Sequence, residues 1–161
     1  MNIKNIEEFE LNNDDIINLI SLRTVDGNAP YLVFNNVIVS AFLDDENIYS
    51  GEIVLSKCIN HTLIFALSYG PPYMKGCLIT GLSNDTAENR KPEGFCFAEK
   101  NVPESVWFGK EQTLIVIRND NKSGEWNGKY IIYNNHEEDA KASNQLSDVK
   151  GYKIYQSGMS K

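Results

Sequence analysis

Along the first 23 residues the apolar positions recur three and four apart, the period of a helix; beyond residue 31 they gather into short blocks separated by turn-forming residues. Asn5-Ile6-Glu7-Glu8 has the spacing of a capping box, with Ile6 and Phe9 on one face. Asn12 or Asn13 offers a second N-cap, followed by Asp14 and Asp15, whose charges suit the positive end of a helix dipole. Ile16, Leu19, Ile20 and Arg23 continue at helical spacing, and Ile17 and Leu22 widen the stripe. Asp26-Gly27 and then Pro30 close the segment. This pattern predicts one or two amphipathic helices over residues 1–23.

From Tyr31 the reading changes. Residues 31–34 and 37–42 flank Asn35-Asn36, two residues that tolerate the positive φ of a tight hairpin. Further strands are expected at 51–55, 62–67, 77–80, 95–98, 113–118, 129–133 and 152–155, most of them rich in β-branched or aromatic residues. Residues 62–67 and 114–117 do not alternate between apolar and polar, the mark of central strands covered on both faces. Residues 136–150 fit a short surface helix or a loop. The expected fold class is α+β, with an N-terminal helix or helices packed on a mostly antiparallel sheet. The expected organisation is a single globular domain over 1–161, with a helical segment 1–23 and a β-rich body 31–155.

Composition narrows the partners. Fifteen Lys+Arg against 22 Asp+Glu give a net charge of -7, which phosphate backbones and anionic lipid repel. Neither nucleic acid nor a membrane surface is therefore an expected partner, whereas a basic macromolecule is favoured by long-range attraction. The N-terminus lacks the apolar core of a signal peptide, and no apolar run approaches the length of a membrane span. Three cysteines, Cys58, Cys77 and Cys96, cannot all pair within one chain, and reduced thiols in a cytoplasmic setting are expected.

No residue set points to catalysis. The histidines are His61 and His136, and no nucleophile elbow is present. Cys58 and His61 have ligand-like spacing but no second close pair, so neither a metal nor another cofactor is expected, and Cys58 reads as a packed structural thiol. The acidic groups Asp44-Asp45-Glu46 and Glu137-Glu138-Asp139 lie in polar segments, where they serve solubility or a basic partner. The prolines of the Gly70–Gly76 loop remove the N–H groups a phosphate cradle needs. Tyr69 and Tyr73 make that loop either a recognition element or a plain turn. Trp126, in a polar loop, either folds onto the core or anchors a partner, whereas Trp107 reads as core.

With those segments read, the chain resembles the immunity proteins of bacterial contact-dependent growth inhibition systems, those paired with nuclease toxins in particular. The resemblance lies in the expected helical start, Ile6-Glu7-Glu8-Phe9 and then residues 15–20, and in Gly27-Asn28-Ala29-Pro30-Tyr31-Leu32-Val33. The strand-rich stretch from Ser56-Lys57-Cys58-Ile59-Asn60-His61 through Tyr69-Gly70-Pro71-Pro72 adds to it. It implies a cytosolic, non-enzymatic protein that binds and blocks the C-terminal domain of a cognate toxin, with β-augmentation as one route.

The partner-binding residues expected from the reading of the chain itself are Asp44, Asp45, Glu46, Tyr69, Tyr73, Trp126, Glu137 and Glu138. The alternative is a small-molecule or peptide-binding β domain with a pocket walled by Phe65, Tyr69 and Phe97. A third reading is an enzyme using Asp44, Glu46 or His136.

Overall fold

A computed structural model describes residues 3–11, 15–43, 49–70, 73–83, 90–119, 127–137, 139–146 and 148–156. Among them the regular structure is all strand, in three antiparallel sheets, and this replaces the expected α+β class with an all-β fold. By its internal contacts the chain divides into two compact units, residues 1–98 and 99–161. No helix of the described residues is long and apolar enough to cross a membrane.

The first unit holds two four-stranded meanders. The first runs β1 (Ile3–Glu10), β2 (Ile16–Thr24), β3 (Gly27–Phe34) and β4 (Val37–Ser40); the second runs β5 (Glu52–Ile59), β6 (Thr62–Gly70), β7 (Tyr73–Leu82) and β8 (Pro92–Glu99). The predicted helices are β1 and β2. Ile17 and Leu19, two positions apart, are both fully buried, which only a strand achieves on one face. Leu19 lies opposite Leu32 of β3, and Ile17 lies opposite Phe9 of β1. In Ile16-Ile17-Asn18-Leu19-Ile20 so few positions are polar that the run satisfies both periods. The β-branched isoleucines and the pairing available from β3 decide for strand.

The two meanders share a core. Phe9, Ile17, Leu19, Leu32 and Phe34 from the first cluster with Leu63, Phe65, Leu67, Cys77 and Ile79 from the second. The expected hairpin is present: Phe34 pairs with Val37 around Asn35 and Asn36, at φ 48° and 65°. A second two-residue turn of the same kind, Asn60-His61 at φ 51° and 58°, joins β5 to β6. Residues 62–67 are all buried, in keeping with their non-alternating sequence.

Cys77 and Cys96 are joined in a disulfide between adjacent strands β7 and β8, with Cα atoms 3.9 Å apart. This corrects the expectation of unpaired thiols: the two cysteines are 19 residues apart, and only the strand pairing brings them together. On β7, Gly76 leaves room that a side chain would fill. A Cβ there would lie 1.9 Å from the Phe65 carbonyl oxygen and 2.8 Å from the Phe97 ring.

The second unit is a five-stranded sheet in the order β12-β11-β10-β9-β13. Its strands are β9 (Pro103–Gly109), β10 (Thr113–Arg118), β11 (Tyr130–Asn134), β12 (Lys141–Ser143) and β13 (Tyr152–Gln156). Trp107, Leu114 and Val116 form the centre of one face, with Tyr130, Ile132, Leu146, Tyr152 and Ile154 packed on it. Trp107 is core, as read, and its indole N–H donates to Ser105 Oγ at 2.9 Å. Within 136–150, read as helix or loop, Lys141–Ser143 adds an edge strand to β11.

Candidate protein-binding surface

β6 runs past the end of the shared core. Its residues 62–67 are buried, but Tyr69 is 39 % exposed and Tyr73, at the start of β7, is 48 % exposed. Gly70 pairs with Tyr73, so both tyrosines stand at the same end of one hairpin. The prolines 71 and 72 between them lie outside the described residues.

Tyr69 does not stand alone. Its ring lies 5.1 Å from that of Tyr49, which in turn meets Phe42 edge-on at 5.4 Å. Phe42 packs on Phe65 at 5.5 Å, so the exposed aromatics continue into the core. Lys75, 8 % exposed, sets its ammonium 5.6 Å from the centre of the Tyr49 ring and 5.9 Å from that of Phe42. Rings of this kind are stiffened by their neighbours, which lowers the entropy lost when a partner covers them. Tyr49 and Phe42 belong to this cluster although nothing in their local sequence sets them apart. Their role follows from the approach of the segment after β4 to β6.

The chain segment joining Leu43 to Tyr49 carries Asp44, Asp45 and Glu46. These three, with Trp126 and Glu138, lie outside the described residues. Glu137 is in the second unit, where it forms an ion pair with Lys141 at 2.9 Å and accepts from the Asn134 amide at 3.4 Å. The hydrogen bond from Lys141 holds its carboxyl below the usual glutamate range, with the nearby Lys141 charge and the Asn134 bond acting in the same direction against desolvation. The structure thus brings together Tyr69 and Tyr73 and places Glu137 in a separate unit.

The remaining candidates separate as well. Phe65 and Phe97 are both buried and lie on opposite faces of the β5–β8 sheet: Phe65 pairs with Cys77, while Phe97 packs over Gly76. With Tyr69 they do not wall one cavity. An open cavity of about 630 Å³ is found elsewhere in this unit, lined by Lys4, Ser21, Asp26, Asn28, Ser50 and Glu52. His136 is exposed, with Nε2 at the Glu111 carbonyl. Cys58, read as packed, is exposed near the end of β5. Partial burial pushes its thiol above the ordinary value, the Glu7 carboxylate adds to this, and a backbone hydrogen bond with His61 opposes it. No group of three potential metal ligands gathers among the described residues. No protein family, no curated protein and no solved structure matches the chain.

Proposed function

We propose that this protein acts by binding a basic protein partner, with the tyrosine surface at the β6–β7 end as its contact. The observation that carries this reading is the pair of exposed tyrosines, Tyr69 and Tyr73, with Tyr69 backed by Tyr49 and Phe42. Large aromatics with fixed surroundings are the side chains that most often dominate protein interfaces. The net charge of -7 and the acidic stretch 44–46, joined in sequence to Tyr49, favour a cationic partner.

The most specific form of this proposal is an immunity protein that holds a nuclease-type toxin domain in the cytoplasm. It draws on the resemblance of residues 27–33 and 56–72; the part of that resemblance based on a helical start falls away with β1 and β2. The Cys77–Cys96 bond weighs against a cytoplasmic setting, because disulfides persist chiefly in oxidising compartments.

The test is growth rescue and co-purification with the C-terminal domain encoded next to this chain. The proposal expects rescue, a one-to-one complex, and at least roughly tenfold weaker binding for Tyr69→Ala or Tyr73→Ala. A toxic domain that kills in the presence of this protein and does not co-elute would overturn the immunity role. A complex indifferent to both tyrosine variants would overturn the assigned surface.

A further inference from the structure

The β1–β4 sheet has two faces, and the shared core uses one of them. Ile17, Leu19, Leu32, Phe34, Val37 and Val39 point into the core, so their alternates on β2, β3 and β4 point away from it. On an antiparallel sheet with one face in water, the alternates are normally polar. Here most are not: beside Asn18 and Ser40 the outward positions include Ile16, Ile20, Tyr31, Val33 and Ile38, and Ile3 of β1 lies opposite Leu22 on the same side. Ile3, Ile16 and Ile38 are 53 %, 51 % and 52 % exposed, while Ile20 at 5 % forms the floor between them.

We infer that this outward face docks an amphipathic helix that carries lysine or arginine beside its apolar stripe. Three features of the face specify that occupant. First, its described charged residues are acidic: Glu8 opposite Asn18 and Glu10 opposite Ile16 are both exposed, and the register places no Lys or Arg there. A second copy of the chain would bring the same acids and another net charge of -7, so charge complementarity favours a cationic partner. Second, Asn18 Oδ1, in the middle of the face, is buried without a hydrogen-bond partner among the described residues, an acceptor that a donor on the partner would satisfy. Third, the four strands span about 14 Å between outermost axes at the usual strand spacing, and a helix of about 10–12 Å covers that width. A helix laid on a sheet face is also one of the few stable ways to cover such a layer.

This surface is distinct from the tyrosine surface, and the two stand or fall separately. The probe is a labelled 18-residue peptide of leucine and lysine in amphipathic helical order, with a leucine–glutamate peptide as counterpart. Binding is followed by fluorescence anisotropy, and the helicity gained by circular dichroism. The proposal expects saturable one-to-one binding of the lysine peptide with helix formation and at least tenfold weaker binding of the glutamate peptide. The double variant Ile16→Thr/Ile38→Thr, which keeps strand preference and charge, should weaken the lysine peptide at least tenfold. Tyr69→Ala should leave peptide binding unchanged, which separates this result from failure of the proposed function. Equal binding of the two peptides, or binding indifferent to the double threonine variant, would overturn the inference. Sedimentation showing a dimer that the threonine variant disperses would overturn it too, by making a second copy the occupant.

Discussion

Arg90 and Asp15, 75 residues apart in sequence, meet in a two-point ion pair, Nη1 to Oδ1 at 3.0 Å and Nη2 to Oδ2 at 2.6 Å. The same guanidinium donates from Nε to the Ser83 carbonyl at 2.9 Å, so one side chain ties the start of β2 to the ends of the β7–β8 connection. Both partners are largely shielded, at 15 % and 20 % side-chain exposure. Arg90→Ala should lower Tm by a few degrees, roughly the response of a domain this size to loss of one such pair. Arg90→Lys should recover little of it, because an ammonium cannot reproduce the planar fork. Paired thermal melts of the three proteins would decide it.

Gly76 tests the close approach of β6, β7 and Phe97. Adding a Cβ meets backbone at 1.9 Å, which no rotamer change relieves, so Gly76→Ala should cost at least about 2 kcal/mol. Gly81 on the same strand has nothing within 4 Å of its would-be Cβ. Gly81→Ala should be neutral or stabilising by about 0.5 kcal/mol. Urea midpoints for the two variants, with m-values compared, check the contrast.

The disulfide makes a prediction about thiol counts and stability together. Unreduced protein should show one thiol, Cys58, in denaturant, and three after reduction. Removing the bond with Cys77→Ser/Cys96→Ser should cost about 3 kcal/mol, the usual effect of a link closing a loop of this length. Three thiols before reduction would show that the bond is not formed in solution. Although exposed, Cys58 should alkylate slowly at neutral pH and faster as the pH rises beyond the ordinary thiol range, since its pKa is raised.

The Glu137–Lys141 pair predicts a local pH response. The carboxyl titrates lower in the folded chain than in the unfolded one, so its contribution is fully present above the unfolded value. It is lost as pH falls through the folded value. Both groups are exposed, so the effect on global stability should be small. A carbon-detected NMR titration should place the Glu137 midpoint below that of an unpaired glutamate, and Lys141→Ala should raise it toward the ordinary range.

The parts of the fold legible in the sequence share one property: local chemistry is enough to specify them. Asn35-Asn36 makes a hairpin because few residue pairs accept two consecutive positive φ values. Thr113–Arg118 is a strand at its expected bounds, and the unbroken apolar run 63–67 is buried throughout. Trp107 was legible as core, but the strand around it, Pro103–Gly109, was not expected, because its first residues do not show an apolar strand pattern. Of the candidate surface, Tyr69 and Tyr73 could be singled out from the sequence, and both are exposed. Tyr49 could not, because its place beside Tyr69 depends on the approach of the segment after β4 to β6.

By itself, then, the sequence determined an acidic chain, its local hairpin turn, its most apolar strands and the two tyrosines that precede and follow Gly70-Pro71-Pro72 in the chain. Tertiary structure decided everything that rests on a partner distant in the chain. Residues 16–20 satisfy the periods of both helix and strand, and only pairing with β3 makes them β2. Cys77 and Cys96 become a bond only when β7 and β8 lie side by side. The outward isoleucines become a surface only once the opposite face of their sheet is buried, because which side of a strand meets water is set by what covers the other.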